Sequence, residues 1–182
     1  MSEVLIGAGR PSTGMAFIAP KGTALPTTPG EALSADWVEI GAVGEDGCVL
    51  TPPNGDVLKN WALVAERKVN TENGKFAVPF IYTNEKVLGV CFGEDNVEKI
   101  AADSTHGNIV GVTLSPDVSA DAHAFLFLMK DGDKLAMIGS SDALITEIAD
   151  VTFNGSTPAT WTTTIDGTWT FAIDDGQIAS GS

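Results

Sequence analysis

The sequence predicts an all-β domain with one short helix, and three observations carry that prediction. Apolar and β-branched residues alternate in short runs bounded by Gly, Pro, Asp and Asn. Between Val64 and Gly93 a hairpin pattern is followed at once by the only good helix start in the chain. Beyond Gly93 the chain reads as strand and turn, with Ala122–Lys130 strongly apolar. At 182 residues the length prior gives one domain, long enough to bury a core without metal or disulfide staples.

Residues 1–13 show no clear period. Gly7, Gly9 and Pro11 break any regular element, so this stretch reads as an arm. Its glycines do not make a dinucleotide fingerprint, which needs a preceding strand, a following helix and a third Gly three residues after the second. A β core is expected over 14–175. Met15–Ala19 is its first strand, after which Pro20, Gly22, Pro26, Pro29 and Gly30 make a long irregular connection over 20–36. Trp37–Gly41 resumes with aromatic and β-branched residues, Glu45-Asp46-Gly47 turns, and Cys48–Leu50 follows. Pro52, Pro53 and Gly55 mark a second irregular loop over 51–59, ahead of a strand through Trp61 and Leu63. Loops of such length usually have a task, so both are candidate contact elements.

With Asn73-Gly74 at a turn, Val69 faces Val78, Arg67 faces Phe80 and Ala65 faces Tyr82. Phe76, Val78, Phe80 and Tyr82 then share a buried face with Val69, and Glu66, Lys68 and Asn70 lie on a wetter one. Pro79 cannot donate to a ladder. It argues for an edge strand and for a wider loop from Glu72 to Lys75. After Tyr82 the period becomes helical: Thr83 or Asn84 caps, Glu85 suits the helix dipole, Val87, Leu88 and Cys91 form a stripe, and Gly93 stops it.

Further on, Asn108–Leu114 alternates as a strand, and Ala122–Lys130 with Lys134–Ile138 reads as a hairpin around Asp131-Gly132-Asp133. Leu144–Ile148 is open between helix and strand, and its β-branched residues favour strand. Trp161, Thr163 and Ile165 alternate before Asp166-Gly167, and Trp169, Phe171 and Ile173 after it. A two-residue turn there scrambles the faces, whereas a three-residue loop through Thr168 pairs Ile165 with Trp169, Thr163 with Phe171 and Trp161 with Ile173. Residues 177–182 are small and polar and read as a tail.

The formal net charge is −14, and the excess is C-terminal: up to Gly93 there are 7 basic and 10 acidic residues, after it 3 and 14. No Lys or Arg follows Lys134, which argues against affinity for nucleic-acid phosphates or an anionic membrane. The N-terminus lacks a basic region followed by an apolar run, so a chain made in a cytoplasm and kept soluble is expected. Asn154-Gly155-Ser156 matches a glycosylation sequon but, without an export signal, reads as a turn.

Catalytic and metal chemistry finds little footing. Cys48 and Cys91 match no CxxC spacing and read as buried reduced thiols. His106 and His123 have no partners at a readable spacing. Asp131-Gly132-Asp133 and Asp174-Asp175-Gly176 lack the fifth-position and distal ligands of a calcium loop. No nucleophile elbow, phosphate-cradling loop or HExxH helix appears, so no enzyme, cofactor or metal is expected.

The run Ala19-Pro20-Lys21-Gly22-Thr23-Ala24-Leu25-Pro26, then Trp37 with Ile40-Gly41 and Glu45-Asp46-Gly47, then Phe80–Glu85 with Leu88 and Phe92-Gly93, resembles the major tail tube proteins of long-tailed, non-contractile bacteriophages, particularly those of actinobacterial hosts. The resemblance covers most of the chain. It implies a β-sandwich or β-barrel with one flanking helix, hexameric rings and a hollow tube of stacked rings through which the genome leaves. Its implied partners are further copies of itself, the tail terminator, tape measure and distal tail proteins, and genomic DNA passing without sequence-specific binding. The implied place is the virion tail. Arms and loops would join ring to ring, which nominates Ser2, Arg10, Lys21, Thr23, Pro26, Pro52, Asn54 and Lys59. A channel that conducts DNA must not hold it, so Glu66, Asp121, Asp142, Glu147 and Asp150 are candidates to face the lumen. Two alternatives stand beside it. One is another virion β-sandwich, a tail-completion or head decoration protein; the other is a carbohydrate-binding module using Trp37, Trp61, Trp161 and Trp169, though the last two fall on the apolar face of their strands.

Overall fold

The computed structural model describes residues 14–43, 47–53, 55–59, 66–70, 73–114, 121–131, 134–156 and 159–174. These form β1 (Gly14–Pro20), β2 (Val38–Ala42), β3 (Val49–Thr51), β4 (Gly55–Lys59), β5 (Glu66–Asn70), β6 (Gly74–Phe80), helix α1 (Glu85–Phe92), β7 (Val97–Ile100), β8 (Ile109–Val112), β9 (His123–Asp131), β10 (Lys134–Ile148), β11 (Trp161–Gly167) and β12 (Thr170–Asp174). The main sheet is antiparallel and runs β2-β1-β9-β10-β11-β6-β3, with β12 also on β10. Just past β2, Val43 bridges to Phe80 at the end of β6. The two ends of the sheet therefore meet, which makes the architecture barrel-like.

Strand alternation fills the interior. Ala16 from β1, Ile40 from β2, Phe76, Val78 and Phe80 from β6, Phe125 and Phe127 from β9, Ile138 and Ile145 from β10, and Trp161 and Ile165 from β11 form one cluster, joined by Val87, Leu88, Val90 and Cys91 of α1. The helix is placed by local chemistry. Asn84 Oδ1 accepts from Val87 N at 2.8 Å, and Gly93 at φ 87° ends it while donating to Gly89 O. Both caps and the buried stripe are as the sequence predicts.

Ala124–Phe127 of β9 and Ala136–Ser140 of β10 are buried on both faces, which explains the unbroken apolar run through β9. On the outer face Ala19, Ala124, Leu126 and Met137 pack with Trp37, Leu25 and Leu33 from the 21–37 connection. Pro26 and Pro29 of that connection are buried. It is fastened as well as seated: Gly22 N donates to Ser141 O at 2.7 Å, Lys21 bridges Asp142 at 3.0 Å, and Thr27 donates from N and Oγ1 to Glu31. The Thr27 hydroxyl and amide hold the Glu31 carboxyl below its ordinary range.

Several pairings differ from the sequence reading. β5 pairs with β4, Asp56 facing Val69 and Leu58 facing Arg67, and not with β6. β6 is instead an internal strand with β11 on one edge and β3 on the other, so no edge remains for β5. The alternation of Phe76, Val78 and Phe80 is satisfied by the barrel interior, and Tyr82, beyond the strand's end, is exposed. Pro79 is accommodated because β3 pairs only as far as Ala77 and the next bridge is at Phe80. The 51–59 loop contains β4, and β7, unforeseen, pairs with β8. The strand expected through Trp61 and Leu63, the arm and the tail lie outside the described residues.

The largest difference concerns the C-terminus. β11 and β12 do not fold back on each other; both run antiparallel along β10, Ile148 to Ala143 facing Thr163 to Gly167 and Gly139 to Leu135 facing Thr170 to Asp174. Leu144–Ile148 is a strand, but one continuous with Lys134–Ile138 in the fifteen residues of β10. A strand of that length supplies a ladder long enough for β11 and β12 in succession, so Asp166-Gly167-Thr168 lies within a run, not at its reversal. The β9–β10 hairpin stands as predicted, Asp131 facing Lys134.

Candidate assembly surfaces

The nominated residues differ in where they lie. Ser2, Arg10 and Asn54 lie outside the described residues, and Glu66 and Lys59 are placed by backbone pairing on β5 and β4. In the 21–37 connection Lys21 bridges Asp142, Thr23 Oγ1 donates to Pro20 O at 2.7 Å, and Pro26 is buried in the subunit, so these three fasten the connection to its own sheet. What the connection presents outward is Thr27, Thr28, Glu31, Ala32 and Asp36, which the sequence did not single out. Pro52 is exposed after β3.

Of the acidic candidates, Asp121, Asp142, Glu147 and Asp150 are all exposed. They are not equivalent. Asp142, at the irregularity in β10 between Ser140 and Ala143, is neutralised by Lys21, whereas Glu147 and Asp150 at the far end of the strand have no ion pair among the described residues. Across the ladder Asp166 faces Lys75. Uncompensated negative charge thus gathers toward the C-terminal end of β10, a distinction that needs the Lys21–Asp142 contact to be seen.

Among the described residues the β4–β5 and β7–β8 pairs and β12 leave hydrogen-bonding edges open. β4 and β5 form a sheet of their own, and among the described residues β12 pairs only along its β10 edge. Phe171 and Ile173 on β12 are half-exposed, 50% and 44%, although their sequence pattern matches that of buried Trp161 and Ile165. Exposed apolar side chains beside an open strand edge make a template for another chain.

The groups that carry chemistry are occupied with structure. Asp103 accepts from Thr105 Oγ1 and N and from His106 N, contacts whose largest contributor, the Thr105 hydroxyl, lowers its carboxyl's pKa, and it bridges His106 at 3.2 Å in an exposed turn. His123 packs edge-on to Phe125. Burial pushes the Cys48 and Cys91 thiols up to about 12, so at neutral pH they remain protonated and are poor nucleophiles. Trp37 and Trp161 are buried and Trp169 is half-buried, Trp161 Nε1 donating to Thr83 Oγ1 and Trp169 Nε1 to Gly74 O. None of these three offers an open stacking face for a sugar ring, and Trp61 lies outside the described residues. Among the described residues no helix is long and apolar enough to cross a membrane.

Among curated proteins none matches the chain. A family profile described as phage tail tube protein matches residues 5–165. Because that match begins ahead of β1, takes in the helix and ends inside β11, the chain belongs to the phage tail tube protein family and is a structural component of a bacteriophage tail, not an enzyme.

Proposed function

We propose that this protein forms hexameric rings that stack into the hollow tail tube of a long-tailed, non-contractile bacteriophage, the conduit for genome ejection. The observation that carries the reading is that two unlike elements, the β4–β5 pair and β12, each leave an edge open among the described residues, in a chain whose family builds tails. Contact between two different surfaces of identical subunits is heterologous, so it closes a ring or continues as a polymer. Charge supports the same pairing: β4 and β5 carry Lys59, Arg67 and Lys68 against Asp56 and Glu66, in a chain of net charge −14 whose β10–β12 region has no basic residue after Lys134. Residues 1–13, the 21–37 connection and residues 51–53 ahead of β4 then join ring to ring, and the tail terminator, tape measure and distal tail proteins meet the tube along its length and ends. Electron microscopy of the concentrated protein is expected to find rings of about six subunits and tubes. A sedimentation profile that stays monomeric at high concentration and moderate salt overturns the reading.

The acidic surplus has a place in this tube. Each added subunit brings like charge to its neighbours, a repulsion offset if a carboxylate wall keeps phosphates from sticking. From the set Glu66, Asp121, Asp142, Glu147 and Asp150, the uncompensated Glu147 and Asp150 are the members we assign to the lumen. In phage carrying Glu147→Lys with Asp150→Lys, tubes should assemble while ejection slows, with relief by salt as phosphate contacts are screened. Ejection at the normal rate would assign the acidity to solubility alone.

A further inference from the structure

Asn154-Gly155-Ser156 lies between β10 and β11, and all three residues are exposed. Asn154 Oδ1 accepts two hydrogen bonds from Ser156, from N at 2.9 Å and from Oγ at 3.0 Å. A side-chain oxygen that reaches the amide two residues on carries its carbonyl carbon over the intervening Gly155 amide. Gly155 stands in open space on its side-chain side, where a β-carbon would meet no atom within 4 Å.

We propose that Asn154 is a self-modifying site, at which the Gly155 backbone nitrogen attacks the Asn154 side-chain amide and converts the residue to aspartate and isoaspartate. The Gly155 N–H gives its proton to solvent hydroxide, and the nitrogen bonds to Cγ. The electron pair of the carbonyl moves onto Oδ1, where the Ser156 N–H and hydroxyl already donate, so the oxygen that gains charge is the one with donors in place. As this intermediate collapses Nδ2 takes a proton from water, the Cγ–Nδ2 bond breaks, and ammonia leaves while the hydroxide is returned. Water then opens the cyclic imide at either carbonyl, leaving a carboxylate. One water is consumed, one ammonia is released and no electron is transferred; the chain gains one negative charge.

The molecule contains its own control. Asn73-Gly74 has the same two residues, but Gly74 is buried, opens β6 opposite Gly167, and accepts from Trp169 Nε1 at 3.0 Å. The ladder holds that peptide in place and denies its nitrogen the rotation that attack requires. The inference does not depend on tube assembly, since it concerns the isolated subunit.

The test is incubation of the purified full-length chain at mildly alkaline pH with ammonia measurement, isoelectric focusing and tandem mass spectrometry. Cleavage after Glu147 gives Ile148–Ser182, in which Asn154 is the sole asparagine. Conversion at Asn154 is expected to outpace that at Asn73 by roughly tenfold or more. Ser156→Ala should slow the native chain about fivefold, the rate equivalent of one lost neutral hydrogen bond, and leave the urea-unfolded chain unchanged. Equal rates at the two asparagines in the native chain, or a native rate indifferent to Ser156→Ala, would overturn the proposal.

Discussion

Replacing Phe76 with alanine is expected to destabilise the subunit by about 3–5 kcal/mol, the range for removing a fully buried aromatic ring. Phe76 is 1% exposed and lies in β6 between Ile165 of β11 and Leu50 of β3. Its ring meets Phe127 edge-on at 4.7 Å and Trp169 at 5.0 Å, so one truncation removes contacts from β9 and from the junction between β11 and β12 as well as from its own ladder neighbours. Small residues are not placed to refill the space, because Phe125 and Phe127 are themselves pinned on opposite sides by β1 and β10. For a chain of this size the loss corresponds to a fall in Tm of roughly 6–20 °C. Urea unfolding with the slope unchanged would check it, and a loss below about 1 kcal/mol would mean that the interior cluster around β6 is not closely packed.

Gly167→Asn should cost roughly 2–3 kcal/mol, the range for forcing extra atoms into a filled site. If Asp166-Gly167 were a turn, asparagine would be a mild replacement, since it tolerates the left-handed conformation that such turns use. Gly167 is instead a buried strand residue beside the irregularity in β10. A β-carbon there would stand 2.7 Å from Ala143 Cβ, 3.0 Å from Ser140 Oγ and 3.1 Å from the Asp142 carbonyl oxygen. The backbone carbonyl cannot swing aside as a side chain would. Gly47 supplies the contrast: at φ +72° with open space around it, Gly47→Asn should change stability by no more than about 0.5 kcal/mol. Chemical denaturation of the two variants side by side decides the matter, and equal, small losses would restore the turn.

That contrast also marks how far the sequence could be read. Local chemistry was legible wherever one short segment contains the whole cause: Asn84 and Gly93 bound the helix because capping depends on neighbours within a turn. Alternation was legible too, since Phe76, Val78 and Phe80 would seek a buried face whichever strand lay beside them. Pairing was not. Val69 could face Val78 or Asp56 with equal local sense, and only the occupation of both β6 edges by distant strands sends β5 to β4. The same holds for the assembly surfaces. Lys21 reads as a free contact residue until Asp142, far along the chain, is found beside it, and the half-exposure of Phe171 and Ile173 follows from where β12 lies and not from its pattern.

The closure of the sheet has a consequence in time. β1 is among the first strands to leave the ribosome, yet its partner β9 begins at His123; β6 must wait for β11, which ends at Gly167. Such distant pairings place folding on about the millisecond-to-second scale and leave one edge of β1 and one of β6 unpaired while the chain grows, though β2 and β3 cover the other edges early. The interior cannot seal until β11 has emerged, because β11 joins β10 to β6 across the common core that α1 covers. A chain in which β11 and β12 have not yet formed is therefore not a complete subunit, and it becomes able to join a tail once those strands have docked along β10.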